Sequence, residues 1–439
     1  KEMFELCDEY REFLDEGKTE RECVEKSIKM AELHGFKNIN SVKQLKAGDK
    51  VYKINRNKNI LLAVIGSEDI KNGVNLVGAH IDSPRLDLKQ NPLYESNDMA
   101  LLKTHYYGGI KKYQWLSIPL ALHGVVIKKN GKKVEVCVGE KETDPVLVIN
   151  DLLPHLGAKQ REKLAKDFID GEQMDLLIGN RPEDGEEDAV TRRIRNLLKE
   201  KYDIEEEDFL SAELEIVPAG KARECGLDNS MILAYGQDDR VCAFTSLFAI
   251  LEAEEVTRTA CCLLVDKEEI GSVGATGMHS RFFENVVAEL VAMTDGESEL
   301  QVRRALQNSR MLSSDVSAAY DPMYADVFEK RSSAFFGKGL VFNKFTGSRG
   351  KSGSNDANAE YLAKIRGVMD DADVSYQFAE LGKVDAGGGG TIAYIMANYG
   401  MEVIDSGVAV LSMHAPWEVT SKADVYEAYK AYKAFLLEA

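Results

Sequence analysis

A run of six apolar residues, Ala260–Val265, restricts the possible folds more than any other part of the sequence. The run stops at Asp266, and the adjacent carboxylates Glu268 and Glu269 follow it. An uninterrupted apolar run of this length is typical of a central strand in a parallel sheet. In open α/β sheets, ligands bind just beyond the carboxyl ends of such strands. The run therefore predicts an α/β fold with its chemistry near these two acids, although a solvated loop would also carry acids.

Two histidines occupy similar positions in other segments. A strand-like run from Val74 to Gly78 leads into His80 and Asp82, which share a face if the strand continues. The last apolar run, Val408 to Met413, ends at His414. A single buried histidine is more often structural than a ligand, but a nearby carboxylate favours a ligand, because ligating imidazoles commonly have such a neighbour.

Three aspartates extend this set. Asp238 and Asp239 precede a pattern with helical spacing, and Asp315 ends a short run of apolar residues and serines. Considered singly, the first two could cap a helix and the third could belong to a turn. Their recurrence at strand ends and a helix start, in segments far apart in the chain, favours one shared site.

The residue types in this set are those of a catalytic metal centre. Two histidines and three carboxylates, one of them bridging, would hold two divalent ions with open positions. Because adjacent carboxylates point in different directions, one acid of the Glu268–Glu269 pair could bind a metal while the other carries a proton. The sequence contains neither HExxH nor a CxxC pair, which argues against a helix-based single-zinc protease and a closed structural zinc site.

Charge and composition exclude several classes of partner. The formal net charge of −18 argues against a nucleic-acid surface or an anionic membrane surface, which would need clustered Lys and Arg. No apolar run approaches the roughly 18–20 residues that span a bilayer, and the charged start KEMFELCDEY does not resemble a signal peptide. Seven cysteines without a CxxC pair indicate a reducing compartment. We therefore expect a cytoplasmic protein.

The length of 439 residues and a change in character along the chain predict two domains. Residues 1–35 have helical spacing and predict an outer helical pair. We assign residues 1–89 and 232–439 to a discontinuous catalytic domain and residues 90–231 to an inserted β-rich domain. In the insertion, His155 stands between Pro154 and Gly157, and an ordinary loop or interface histidine would fit the same position.

Two glycine-rich segments and the last helix complete the pattern. KFTGSRGKSGSN lacks the first glycine of a phosphate loop, because Phe345 occupies that position, so we expect a mobile loop. The four glycines Gly387–Gly390 lead into a predicted helix that ends near Gly400, an arrangement suited to an anion or a peptide terminus, or to a close-packed turn. Ser421 and Asp424 predict a capping box at the start of the final helix.

Taken together, the segments GAHIDSPRLDLK, GQDDR, DKEEIGS, SSDVSAAYDPMY, DAGGGGTIA and SMHAP resemble the successive motifs of the aspartyl aminopeptidase and vacuolar aminopeptidase I family. The resemblance covers nearly the whole chain, including the insertion after the first motif. It implies a catalytic α/β domain with a mostly parallel central sheet flanked by helices, an inserted dimerisation domain, and dimers that assemble into dodecamers. It also implies a centre with two metal ions, most commonly Zn²⁺, with Co²⁺ or Mn²⁺ as alternatives.

The resemblance assigns roles to individual residues. His80 and Asp315 would hold one metal, Glu269 and His414 the other, and Asp238 would bridge them, unless the bridge is Asp239. Glu268 would be the general base and Asp82 the acid that orients the first metal site, and a cis peptide would join the two aspartates. His155 would reach the active site of a neighbouring subunit.

The resulting hypothesis is a metalloaminopeptidase that removes N-terminal residues, with acidic ones favoured, from short peptides. Lys338 is a candidate partner for an acidic side chain, and Gly388 and Gly389 are candidates for substrate binding. The sequences of the segment VSAAYDPMY and of the glycine run differ from those of eukaryotic relatives. We expect this difference to affect the substrate preference and to leave the metal ligands in place. A carboxypeptidase or deacylase on the same scaffold, or a catalytically silent metal-bound assembly protein, are the alternatives.

Overall fold

The computed structural model describes residues 1–184 and 187–438. The chain forms two compact units. The first contains Lys1–Asp82, Ala222–Met413 and the chain from Glu418 onwards, and the second contains Ser83–Lys221 with His414–Trp417. Helices and strands are numbered below in chain order.

The first unit is built on a nine-stranded sheet whose central strands β13, β4, β14 and β20 run parallel to one another. The strands in spatial order are β1 (Lys37–Asn38), β2 (Lys50–Asn55), β3 (Asn59–Val64), β13 (Ala260–Val265), β4 (Asn75–His80), β14 (Arg310–Ser314), β20 (Glu402–Gly407), β16 (Leu340–Asn343) and β18 (Tyr376–Phe378). This arrangement confirms the predicted α/β class with a large, mostly parallel sheet.

Helices cover both faces of this sheet. They are α1 (Glu2–Glu16), α2 (Glu20–Leu33), α5 (Gln237–Leu251), α8 (Ala359–Asp371) and α10 (Lys422–Glu438) on one face, and α6 (Phe282–Thr294), α7 (Glu299–Asn308) and α9 (Ala393–Ala397) on the other. Alternate residues of β13 belong to opposite cores: Cys262 and Leu264 face α5, while Cys261 and Leu263 face α6. Because both faces are covered, the strand is apolar at every position.

Local sequence signals account for several element boundaries. Thr19 and Glu22 form a capping box that begins α2, with the Thr19 hydroxyl accepting a hydrogen bond from the Glu22 amide. The predicted helical pair at the start of the chain is thus confirmed. The capping box predicted at Ser421 is not reproduced in this form, because the Asp424 carboxylate instead accepts the backbone amides of Gly337 and Gly339.

A smaller sheet in the first unit holds the start of α5. Its strands are β11 (Arg223–Cys225), β12 (Met231–Ala234), β22 (Glu418–Ser421), β21 (Ala409–Leu411) and β15 (Ser317–Ala318). Ala234 of β12 is the register partner of Glu418 in β22, and the Glu418 carboxylate accepts the backbone amide of Asp238 at 3.0 Å. This sheet therefore fixes the point at which α5 begins.

In its described residues, the second unit contains a six-stranded antiparallel sheet and two α-helices, α3 (Ala158–Arg161) and α4 (Ala189–Tyr202). The strands in spatial order are β8 (Lys133–Val138), β7 (Leu120–Ile127), β10 (Ala212–Pro218), β5 (Arg85–Ser96), β6 (Met99–Tyr107) and β9 (Leu176–Gly179). Of the highly charged segment from Gly157 to Phe209, residues 185 and 186 lie outside the described part. No helix in residues 1–184 or 187–438 has the length and apolar character needed to cross a bilayer.

The boundaries between the two units differ from the predicted 90–231. The second unit begins at Ser83 because β5, which starts at Arg85, already pairs with β6 and β10. It ends at Lys221 because β11 and β12 pair with each other and with β22 of the first unit. The change in composition near Gln90 and Met231 lies beyond these pairings, so the predicted bounds differ from those of the compact units. The assignment of residues 90–231 to an inserted domain stays a prediction.

The glycine-rich segments also differ from expectation. Gly388–Gly389 forms a short strand, β19, which pairs with β17 (Gly347–Ser348) of the segment predicted to be a mobile loop. The helix that follows, α9, begins only at Ala393 and has five residues. The glycines therefore do not lead directly into a helix N-terminus, and they serve instead to bring two backbone segments together.

Candidate metal centre

Parallel strands bring the predicted ligands to one edge of the large sheet. His80 is the last residue of β4 and the register partner of Val265 at the end of β13. On the other side of β4, β14 ends at Ser314, directly before Asp315. Because the three strands run in the same direction, their carboxyl ends meet, and the residues after them converge.

His80 lies at the centre of this group and is buried. Its Nε2 atom is 3.3 Å from Oδ1 of Asp238 and 3.9 Å from carboxylate oxygens of both Glu268 and Asp315. On the other side of the ring, Nδ1 is 3.0 Å from the carbonyl oxygen and 3.2 Å from Oδ1 of Asp82. The two contacts with Asp82 therefore favour a proton on Nδ1, which leaves Nε2 of His80 available as a metal ligand.

Asp238 and Asp239 present their carboxylates differently. The peptide bond that joins them is cis, as the resemblance implies. Asp238 faces Nε2 of His80, whereas Oδ2 of Asp239 accepts the backbone amide of His80 at 3.3 Å. The first aspartate of the pair thus points to the ligand side of the imidazole.

Asp82 joins the histidine to the two glutamates. Its Oδ1 accepts the backbone amide of Glu268 at 3.1 Å, and its Oδ2 accepts that of Glu269 at 3.2 Å. The glutamates form a short 3₁₀ turn after β13, with Lys267 in the left-handed region at φ 70°. This one buried carboxylate therefore orients the imidazole and fixes the turn that carries both glutamates.

The protonation equilibria reflect a crowded group of acids. Burial lowers the pKa of His80, but Asp238 and Asp82 outweigh this effect and raise it well above its usual value. Burial and the neighbouring Asp239 raise the pKa of Asp315 well above its usual range. Burial does the same for the pKa of Asp239, although His80 opposes the shift. Such a group of carboxylates favours the binding of cations.

The donor set fits divalent metal ions. One group, His80, Asp239 and Asp315, and another, His80, Glu268 and Glu269, each have ligand atoms within 4.8 Å of one another. Imidazole nitrogen together with carboxylate oxygen suits Zn²⁺ and similar ions, and a catalytic site retains open positions beside such ligands.

His414 belongs to the second unit. Its Nδ1 atom is 2.7 Å from the carbonyl oxygen of Gly109, and its backbone has a positive φ of 66°. A proton on Nδ1 would donate to this carbonyl, and Nε2 would then be the nitrogen with the lone pair that a metal ligand needs. Its assignment as a ligand stays a prediction.

The remaining predicted residues lie outside the group around His80. His155 is exposed in the second unit, next to exposed leucines. Lys338 is exposed between Gly337 and Gly339, whose amides bind Asp424, and burial raises the pKa of that aspartate to about 6. Gly388 and Gly389 lie in β19. Their roles in substrate binding and subunit contact stay predictions.

Two buried acids near the site are absent from the sequence prediction. Burial raises the pKa of Asp266 to about 7, and its carboxylate contacts the hydroxyl of Thr276 at 2.6 Å. Burial also raises the pKa of Asp405 in β20 to about 7, while Thr391 and Ser313 beside it act in the opposite direction. The apolar run that ends at Asp266 could have indicated the first, whereas no local pattern distinguishes the second.

Comparison with known proteins indicates one family. The model of the family described as aminopeptidase I zinc metalloprotease (M18) matches residues 13–436. A probable M18 family aminopeptidase 1 from Clostridium acetobutylicum is 59% identical over 99% of this chain and 95% of its own length. The crystal structure of an M18 family aminopeptidase from Thermotoga maritima is similar with a TM-score of 0.97 and 44% identity, covering 100% of this chain and 97% of that one.

A more distant structure shows the same fold. The mApe1 dodecamer of S. cerevisiae has a TM-score of 0.78 and 21% identity, over 98% of this chain and 95% of its own.

Proposed function

The chain belongs to the M18 family of zinc metalloproteases and is a zinc-dependent aminopeptidase, and we propose that it works through two zinc ions held around His80. The observation that carries this proposal is the convergence of Asp238, Glu268 and Asp315 on Nε2 of a single buried imidazole. An isolated buried histidine would need only one partner, whereas this group offers more ligand atoms than one ion uses.

In this proposal, His80 and Asp315 hold the first ion, Glu269 and His414 hold the second, and Asp238 bridges them. Asp238 is preferred to Asp239 as the bridge because its carboxylate faces the free nitrogen of the imidazole. Asp239 already accepts the backbone amide of His80. Asp82 binds no ion and maintains the orientation of the imidazole.

Glu268 is the general base. When bound, the zinc ions supply Lewis acidity that lowers the pKa of a water molecule and polarises the peptide carbonyl. The Glu268 carboxylate takes a proton from the water molecule while the water oxygen attacks the carbonyl carbon of the peptide bond. The C–N bond then breaks, and Glu268 gives the proton to the nitrogen of the leaving amine. Because Asp82 holds the Glu268 amide, the carboxylate can remain beside the ligands throughout the reaction.

The substrates are short peptides, with acidic first residues preferred. Lys338 precedes β16, which runs antiparallel to β20, with Val341 paired to Gly407 at the end of that strand. Lys338 therefore stands near the same edge of the sheet as the metal ligands, where its ammonium group can pair with an acidic side chain. The glycines Gly388 and Gly389 offer backbone groups that a peptide can approach closely.

The active enzyme is a homo-oligomer of dimers, with a dodecamer as the complete assembly. Leu152, Leu153 and Leu156 surround His155 and are 46%, 48% and 68% exposed. Several neighbouring exposed leucines are typical of a surface that another protein covers. A second copy on this surface would bury the leucines and bring His155 to that copy's active site.

We place the enzyme in the cytoplasm. All seven cysteines are free thiols. Unpaired cysteines in this number suit a reducing compartment, because an oxidising one favours disulfides.

A peptide assay with defined metal content tests this function. The protein is stripped with a chelator, reloaded with zinc, cobalt or manganese, and given peptides that differ only in the first residue. We expect activity to disappear on chelation, to return at two ions per chain, and to be highest for Asp or Glu at the first position. Return at one ion per chain would contradict the two-ion proposal, and equal rates for Leu and Asp would remove the acidic preference.

Blocking the peptide amine provides the control for the reaction class. Acetylation of the N-terminus should abolish turnover by an aminopeptidase, because a free amine no longer occupies the site. A carboxypeptidase or a deacylase would still hydrolyse the acetylated peptide, and a metal-bound assembly protein would hydrolyse neither.

A further inference from the structure

The start of α5 is held by a buried acid that lies outside the proposed ligand set. Glu418 belongs to β22, the central strand of the smaller sheet, and it is 1% exposed. Its carboxylate oxygen Oε2 accepts the backbone amide of Asp238 at 3.0 Å. Taking a carboxylate out of water costs free energy unless hydrogen bonds compensate for the lost hydration. A buried acid at this position therefore favours a role for its contact with Asp238.

The residue that precedes the proposed bridging aspartate is held to the same strand. Nε2 of Gln237 donates to the carbonyl oxygen of Glu418 at 2.7 Å and to that of Ile232 at 3.1 Å. Oε1 of Gln237 accepts the hydroxyls of Thr420 at 2.6 Å and Tyr10 at 3.2 Å. An amide side chain offers two donors and two acceptor positions, so the buried Gln237 uses its full capacity. The peptide bond that follows Gln237 is therefore fixed relative to β22.

The other side of Asp238 is held to the large sheet. Asp239 follows it, and Oδ2 of Asp239 accepts the backbone amide of His80 at 3.3 Å. Between these two attachments, Oδ1 of Asp238 lies 3.3 Å from Nε2 of His80. The short aspartate side chain occupies a small number of staggered rotamers, so a fixed backbone leaves its carboxylate few positions. The contact with Glu418 thus contributes to the distance between this carboxylate and the imidazole.

From these contacts we propose that Glu418 is a positioning residue of the metal centre, which holds the backbone of Asp238 where its carboxylate binds zinc. This inference rests on the proposed function, in which Asp238 is a metal ligand, and adds a residue outside the ligand set. The position of the Glu418 carboxylate, more than its charge, determines the zinc affinity. Partners that orient metal ligands typically contribute about 10–100-fold to metal affinity or activity.

Two conservative variants separate position from charge. Glu418→Asp keeps the charge but shortens the side chain, which withdraws the carboxylate from the amide of Asp238. Glu418→Gln keeps the length and loses the charge, and its amide oxygen can still accept the hydrogen bond, although a neutral acceptor binds more weakly. We expect Glu418→Asp to weaken zinc affinity by about 10–100-fold. Glu418→Gln should weaken it by no more than about fivefold.

Zinc affinity is measured by competition with a chromophoric chelator, starting from protein stripped of metal. Thermal unfolding of the same stripped proteins measures stability without zinc. Tyr361→Phe is the matched control, because it removes a buried hydroxyl of the same unit, which donates to the carbonyl oxygen of Met311 at 2.9 Å. This control should lower stability and leave zinc affinity unchanged.

Three results would overturn the proposal. Unchanged zinc affinity in Glu418→Asp would mean that the contact does not position Asp238. Equal losses in the two Glu418 variants would mean that the charge of Glu418 acts on the centre without positioning a ligand. A similar loss in Tyr361→Phe would mean that zinc affinity only follows stability. Asp238→Asn distinguishes a failure of the metal assignment itself, because this variant would keep full zinc affinity if Asp238 were not a ligand.

Discussion

The interior of the large sheet and the edge at the carboxyl ends of its strands are built from the same strands, but the interior is apolar and the edge carries clustered acids. Within β13 every residue from Ala260 to Val265 is buried and apolar. Directly after it come Asp266, Glu268 and Glu269, held among other acids. In the interior, burial of apolar surface stabilises the fold. At the edge, clustered carboxylates oppose it, as the raised pKa of Asp315 indicates. Changes in the two regions should therefore separate stability from activity.

The largest expected effect comes from the edge. Glu268→Gln keeps the shape of the side chain but removes the base, so we expect kcat to fall by about 10²–10⁴-fold. Because the substitution removes one negative charge from a cluster of acids, the free energy of unfolding should not decrease. Steady-state kinetics, metal content and thermal unfolding measure these quantities. Glu297→Gln, at an exposed position, is the control. A variant that lost its metal or its fold together with its activity would contradict the assigned role.

The interior should give the reverse result. Phe244 of α5 is fully buried, and its ring centroid lies 5.3 Å from that of Tyr10 and 5.6 Å from that of Phe13. Phe244→Ala should lower the free energy of unfolding by about 3–5 kcal/mol through lost burial and a cavity. Denaturant unfolding measures this change, with Leu33→Ala, at an 85% exposed position, as the control.

In Phe244→Ala, the kcat of the molecules that remain folded should be close to that of the unchanged enzyme. A loss of kcat as large as that of Glu268→Gln, at a temperature where the variant is folded, would mean that the interior and the edge are not separable.

Asp405 tests the contrast between an apolar interior and an acidic edge most directly, because it is an acid within a strand of the sheet. Burial raises its pKa from 3.8 to about 7. Between these values the folded protein binds a proton that the unfolded chain has lost, so this group makes stability fall as pH rises from about 4 to about 7. Asp405→Asn removes the ionisation. The variant should gain stability relative to the unchanged protein as pH rises, by up to about 1.4 kcal/mol per pH unit.

Denaturant unfolding at several pH values measures this difference, and Asp371→Asn, at an exposed position in α8, is the control. Parallel stability curves for Asp405→Asn and the unchanged protein would show that Asp405 does not hold a proton in the folded state.

The positions that the sequence predicts well are those where a strand ends. The runs before His80 and Asp266 indicate strands because apolar residues and glycine continue to their ends. The run before Asp315 combines apolar residues with two serines at its end, and parallel pairing brings the ends of the three strands together. The helical pair at the start of the chain follows from spacing and from the capping residues of α2. These features depend on local patterns, which a single sequence contains.

The features that escape prediction depend on pairing between distant segments. The pairing of Gly347 with Gly389 joins two glycine-rich stretches that each resemble an independent loop. Asp405 lies in a segment whose sequence is that of an ordinary strand, and its altered pKa arises from burial in a sheet formed by remote residues. The division between the two units follows strand pairings at Arg85 and Arg223, where composition does not change.

The carboxylate of Asp82 restricts how the positions of the proposed base and the metal ligands can change relative to one another. By holding the imidazole of His80 and the amides of Glu268 and Glu269 at once, it links the position of the proton acceptor to the position of a ligand. A shift of the turn after β13 would therefore move both together and preserve their separation. Small deformations of the surrounding loops would alter where a peptide lies before they altered the spacing on which its hydrolysis depends.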